Sequence, residues 1–153
     1  VISAHAFKMY QTDKAWAWEH QALVRARGLT GDVLVLQAFD RIRKQVLTTP
    51  RQETQVRQNV IEMRQKMQHH LGTKTMRRAY GETEQFNLKQ DFGGLIDIEF
   101  LAQFMVLAYA HKHPNLAIWP DNVRIFEQKN IVDDQAWHEL RQFVREVWED
   151  VLG

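Results

Sequence analysis

Leu95-Ile96-Asp97-Ile98-Glu99-Phe100-Leu101-Ala102-Gln103-Phe104-Met105-Val106-Leu107-Ala108-Tyr109-Ala110 is the stretch that decides the fold. Ile98, Leu101, Met105 and Ala108 mark one side of a helix from about Ile96 to Ala110, and Phe100, Phe104 and Leu107 mark another, so it is apolar nearly all round. Such a helix has to be surrounded, which places it at the centre of a helical bundle. Asp97, Glu99 and Gln103 interrupt the run, leaving it too short and too polar to span a bilayer. His111, Lys112 and His113 suit its negative C-terminal end, and Pro114 prevents continuation.

Working outward, helical signals follow one another and no segment alternates long enough to demand a strand. Thr12 or Asp13 is a candidate cap for a helix to about Arg27, with Trp16, His20, Leu23 and Arg27 near one face. Gly28 and Gly31 end it, and Asp32 caps a second helix to about Leu47, with Val35, Phe39, Ile42 and Val46 inward. Pro50 suits the first position of a third helix, along which Val56, Val60, Met63, Met67 and Leu71 recur until Gly72. Residues 73–92 lack periodicity, hold Lys74, Arg77 and Arg78, and read as a loop or short hairpin. Beyond Pro114, a short helix is expected from Asp121 or Asn122 to Lys129. Asp133 then caps a last one carrying Trp137, Leu140, Val144, Val147 and Val151. The expectation is an all-α bundle of about five to seven helices forming one domain over residues 1–153.

Composition narrows the classes. With 44% hydrophobic and 25% charged residues, seven Gly and three Pro, the chain has a globular balance. A net charge of +1 gives no reason to expect a nucleic acid or a membrane surface as partner, and there is no long basic helix. The absence of cysteine excludes a disulfide framework and a thiolate metal site and is compatible with a cytoplasmic setting. The start at Val1 and the end just after a helical pattern suggest a piece of something longer.

Two carboxylates at the start of a buried helix, directly after Gly93 and Gly94, are the chemically informative feature. Asp97 in a first helical turn is stabilised by unpaired N–H groups and the helix dipole, by roughly 0.3–1 kcal/mol. Glu99 points elsewhere and would lie deep among apolar neighbours unless Arg25, Arg27 or Arg64 meets it. On that reading Glu99→Ala removes half of a buried pair and costs roughly 3–5 kcal/mol. Part of the network could instead face a nucleotide phosphate or a neighbouring domain, with Lys89, Arg25 and Arg64 as candidate contacts. Residues two apart on a helix diverge, so Asp97 and Glu99 do not make a metal site. The pairs His69–His70 and His111–His113 have no helical ligand spacing and read as surface residues; no metal is expected. The five tryptophans are mostly at core spacing, Trp119 before Pro120 being the exception.

The pattern of Lys89, Gly93-Gly94 and Asp97-Ile98-Glu99-Phe100 resembles the signature of the helical domain in glutamine synthetase adenylyltransferases. Upstream, Trp18-Glu19-His20-Gln21-Ala22-Leu23-Val24-Arg25-Ala26-Arg27 is similar to a second block of that family, and Glu62-Met63-Arg64-Gln65-Lys66-Met67 to a third. Gln103 to Leu107, Tyr109-Ala110-His111, Trp119 and Asp121 to Arg124 extend the likeness, which covers about residues 1 to 130. Glu19, Arg27, Gly93, Gly94, Asp97 and Glu99 are its structural signature here.

The resemblance implies an enzyme that moves AMP between ATP and a tyrosine of glutamine synthetase, using Mg²⁺ and tandem nucleotidyltransferase halves, each followed by a helical bundle. The wording around His20 to Arg25 looks more like the adding, C-terminal half. The family's catalytic carboxylates lie in a Gly-Ser and Asp-x-Asp pattern of a preceding domain, and this sequence contains no such pattern, so no catalytic residue is expected in it. Implied partners are the chain's own nucleotidyltransferase domain, glutamine synthetase and the PII signalling protein, with an apolar docking face near Gly93, Gly94 and the first helix. Two alternatives stand beside this reading: the helical domain of a PII uridylyltransferase, and a non-enzymatic helical protein-binding module.

Overall fold

The computed structural model describes residues 2–71, 87–91 and 93–118. The helices expected at 121–129 and 133–151, the end at Gly72, the basic cluster of Lys74, Arg77 and Arg78, and Trp119 and Trp137 lie outside the described residues. Among the described residues the chain is all helical: α1 Ala4–Asp13, α2 Ala17–Arg25, α3 Val33–Leu47, α4 Glu53–Leu71, α5 Leu95–Tyr109 and a short 3-10 turn Pro114–Ala117.

The central position of α5 follows from its composition. Ile96, Phe100, Ala102 and the run Phe104 to Ala108 are all buried, and α5 packs against α4, α2 and the 3-10 turn. Leu23 and Val24 from α2, Ile42, Val46 and Leu47 from α3, and Val56 and Val60 from α4 complete the core, closed by Leu116 and Ala117. Phe104, Leu47, Met105 and Leu116 are fully buried, the class of side chain whose truncation to Ala costs about 2–5 kcal/mol. Facing pairs Gln21–Gln103 and Arg25–Glu99 run in opposite chain directions, so α2 and α5 are antiparallel.

The first helix departs from expectation. Residues 4–13 form α1, capped by the Ser3 hydroxyl, which accepts from the N–H of Ala6 at 3.1 Å. Thr12 lies in its last turns and donates to the Lys8 carbonyl at 3.0 Å, so it does not start a helix. Most of α1 is exposed, which is why no apolar stripe announced it; Phe7 alone stacks on Phe39, at 5.8 Å between ring centroids. The following helix starts after Trp16, whose N–H donates to the Glu19 carboxylate at 2.8 Å, half of a capping box.

Asp32 does cap α3, accepting from Leu34 and Val35. Pro50 is not the first residue of α4, which begins at Glu53. Arg51 explains the delay: its guanidinium folds back onto the carbonyls of Val46, Leu47 and Thr49 at the end of α3, so the connection needs those residues. Helical spacing also overstated burial at several positions, Leu71 and Ile98 among them. Val35, Trp16 and Trp18 are exposed, Trp16 at 70%, because no described element covers the outer ends of α2 and α3.

Candidate interdomain face

The loop before α5 is built from local polar chemistry. Asn87 Oδ1 accepts from the N–H groups of Lys89 and Gln90 at 3.0 and 3.1 Å, and Asp91 Oδ2 accepts from the Asn87 N–H at 2.8 Å. Gly93 then takes φ 80°, a left-handed conformation that a side chain would disfavour. Gly94 is needed for space: a Cβ there would lie 2.5 Å from the Leu88 carbonyl oxygen and 2.7 Å from that of Asp91.

That close approach lets the loop cap the helix. Gly94 N–H donates to the Asp91 carbonyl at 2.9 Å, Leu95 to Leu88 at 2.9 Å, Ile96 to Lys89 at 3.2 Å and Asp97 to Gly94 at 3.1 Å. The Gly93 N–H goes to the Asp97 carboxylate. The amides that open α5 are thereby spent on the chain itself, and the glycine pair is a backbone packing device, not a cradle for phosphate.

Asp97 keeps its expected place in the first turn and gains a buried partner, whereas Glu99 meets one of its expected arginines near the surface. Asp97 faces α4 and meets Arg64 Nε, while Arg64 Nη2 donates to the carbonyls of Gln90 at 2.9 Å and Asp91 at 3.3 Å. One guanidinium thus holds α4, the loop and α5 together, and its side chain is only 4% exposed. Glu99, two positions on, faces α2 and meets Arg25 Nη1 at 3.0 Å, with side chains 43% and 38% exposed for Arg25 and Glu99 respectively. The expectation of a deeply buried Glu99 is corrected: an exposed pair of this kind is worth about 0–1 kcal/mol. The helical turn explains it, since positions two apart look toward different neighbours.

The remaining candidates separate. Glu19 caps α2 and accepts from the Tyr10 hydroxyl at 2.8 Å, tying α1 to α2; that bond to a carboxylate raises the Tyr10 pKa. Arg27 is exposed beyond the end of α2. Lys89 is exposed on the loop, and its backbone takes part in the cap while its ammonium meets no carboxylate among the described residues. Beside it, Leu88, Leu95 and Ile98 are exposed; Leu95 and Ile98 are one turn apart, and the Leu95 N–H rests on the Leu88 carbonyl. The Gly94 end of α5 therefore presents apolar surface next to Lys89 and the Arg25–Glu99 pair. His69 and His70 are exposed, as expected, whereas His111 and His113 are half-buried and so depart from the surface reading; the described residues include no group of His, Asp and Glu arranged to hold a metal.

Sequence reasoning missed Arg43. It is buried, and its guanidinium donates to the carbonyls of Leu23 at 2.7 Å, Val24 and Ala117, joining the end of α2 to the 3-10 turn. Burial pulls its pKa below the usual arginine value, and carbonyl dipoles stand where a carboxylate would. The signal was available: position 43 lies in the buried stripe between Ile42 and Val46.

Comparison with known proteins places this arrangement. The sequence model of the glutamate-ammonia ligase adenylyltransferase family matches residues 1–42. A bifunctional glutamine synthetase adenylyltransferase/adenylyl-removing enzyme of Acinetobacter baylyi is 51% identical over 127 residues, covering 83% of this chain. The chain belongs to the glutamine synthetase adenylyltransferase family. A Mannheimia haemolytica protein of the same description is 38% identical over an alignment of 187 residues that covers the whole chain. The chain spans 13% and 19% of the lengths of these two adenylyltransferases. The match to the family model takes in α1, α2 and much of α3, whereas the Arg64–Asp97 pair is supplied by α4 and α5.

Proposed function

We propose that this chain is a single helical accessory domain of an enzyme that transfers AMP between ATP and a tyrosine of glutamine synthetase, in the adding half of that enzyme. It packs against a nucleotidyltransferase domain that holds ATP and Mg²⁺, and it is inactive alone. The observation that carries this reading is the apolar surface of Leu88, Leu95 and Ile98 at the rigidly capped start of α5, in a member of a family whose proteins are several times longer.

A domain docked there leaves Lys89 at the rim of the contact, positioned by the Asn87 turn, as the candidate cation that meets no carboxylate among the described residues and could serve a phosphate or an acidic partner. Arg64 is committed to structure, and Arg25 to Glu99. The sequence lacks the clustered carboxylates that metal-dependent nucleotidyl transfer requires, so the chemistry belongs to the partner domain. Cytoplasmic location and contact with the PII protein accompany the reading.

The test compares glutamine synthetase adenylylation, with ATP and Mg²⁺, by this chain and by the same chain joined to its nucleotidyltransferase domain. Activity confined to the longer protein is expected. Activity in the short chain would overturn the accessory role, and activity in neither would favour the adenylyl-removing half or the binding-module reading.

A further inference from the structure

Between α2 and the start of α4 lies an open cleft of about 330 Å³, floored by the buried Val56, Val60 and Leu107. His20 and Arg51 both line it, and no acidic residue does. The His20 ring joins three elements there. Its Nε2 stands 2.9 Å from the Gln11 carbonyl of α1, and its Nδ1 stands 3.4 Å from Arg51 Nη2. Arg51 in turn donates to the carbonyls of Val46, Leu47 and Thr49, where α3 ends.

These partners leave the ring a single state. A carbonyl can only accept and a guanidinium can only donate, so Nε2 carries the proton and Nδ1 is bare. A proton on Nδ1 sets two cationic donors against each other across 3.4 Å. No carboxylate is placed to relieve them. Glu19, on the same helix as the ring, already accepts from the Trp16 N–H and from the Tyr10 hydroxyl of α1. From α4 the cleft receives the amides of Gln55 and Asn59, bonded to each other, while Glu53 meets Arg57; α5 supplies only Leu107. Burial lowers the His20 pKa and Arg51 lowers it further, against the Gln11 carbonyl and Glu19.

Of the two cations Arg51 is the freer to move. The imidazolium keeps its bond to Gln11 and strengthens it by charge, whereas Arg51 sits on the connection of residues 48–52 with the cleft open beside it. The Val46 carbonyl that it leaves retains the N–H of Thr49 at 3.3 Å.

We propose that His20 and Arg51 form a proton-operated latch: neutral His20 lets Arg51 hold the α3–α4 connection closed against α2, and protonated His20 drives the guanidinium into the cleft and frees the connection. The latch is closed at neutral pH and opens as pH falls. It is independent of the interdomain reading, because it uses neither the Gly94 loop nor Lys89.

The test follows the His20 ring and the guanidinium N–H resonances of Arg51 by NMR in the 153-residue chain, from about pH 7.5 to about pH 5. Arg43, which rests on the carbonyls of Leu23, Val24 and Ala117, is the internal control. Exchange of the Arg51 protons with water, taken relative to Arg43 at each pH, should rise at least about tenfold with the midpoint of the His20 ring. In His20→Gln the ratio should stay constant. If that variant does not fold, the two midpoints in the unaltered chain decide, and a separation of more than about 0.5 pH unit overturns the latch. A constant ratio in the unaltered chain, or the same rise in His20→Gln, would also overturn it. So would loosening of Arg43 together with Arg51, which would mark general acid unfolding in place of a local release.

Discussion

The acids that open α5 show how little sequence distance separates a structural linchpin from a surface pair. Asp97 meets a guanidinium that is almost fully enclosed and also holds the loop carbonyls, so Asp97→Ala takes a carboxylate away from a buried charge. The expected loss is about 3–5 kcal/mol in denaturant unfolding. Glu99→Ala should cost about 0–1 kcal/mol in the same measurement, and comparable losses in the two variants would refute the assignment. His20 supplies a pH dependence. Burial lowers its pKa below the usual 6.5, with Arg51 adding to the effect and the Gln11 carbonyl and Glu19 opposing it. A folded state that holds histidine neutral binds fewer protons than the unfolded chain, so stability is full above about pH 6.5 and declines as pH falls toward the folded value. Unfolding of His20→Gln should lose that part of the decline between pH 7.5 and 5.5; an identical pH profile in the variant would show that His20 does not contribute.

At the scale of elements, arginines on carbonyl groups do the work that caps and loops leave undone. Arg43 gathers the last carbonyls of α2 with that of Ala117, and Arg51 gathers those of α3. Arg43→Met keeps most of the apolar stem and removes the donors to Val24 and Ala117, while Leu23 keeps only the N–H of Ala26. A loss of about 2–4 kcal/mol is expected, with the end of α2 losing amide-exchange protection before α4 does. Retention of protection there would mean that water replaces the guanidinium. The same scale explains the misread start of the chain. Asp32 announced α3 because its side chain is a true cap. Thr12 and Asp13 look equally able to cap, but the chain already runs as α1 by then, and Thr12 bonds back to Lys8. Cap residues are found by type, and only packing tells whether a helix is beginning or ending there.

For the whole molecule, the enclosed helix and the exposed apolar end belong together: α5 is covered along most of its length, but at its first turn Leu95 and Ile98 face solvent. On the proposed reading, Leu95→Lys combined with Ile98→Lys should leave the chain's own unfolding free energy within about 0.5 kcal/mol, since both residues are exposed. In the full-length enzyme the same pair should reduce adenylylation at least about tenfold. Full activity in that variant would remove the face from the interdomain contact. The sequence by itself determined the all-α class, the enclosure of α5, the cap of α3 and the family, because apolar periodicity, an Asp cap and ordered signature blocks are written locally in residue order. The tertiary structure alone decided which acid meets which arginine, that the glycine pair lets Leu88 and Asp91 carbonyls close on α5, that Arg43 lies on carbonyls, and that Trp16 and Trp18 stay exposed. Those outcomes depend on how far apart in space two helices end and on what covers each face, and no spacing within a single helix carries that information.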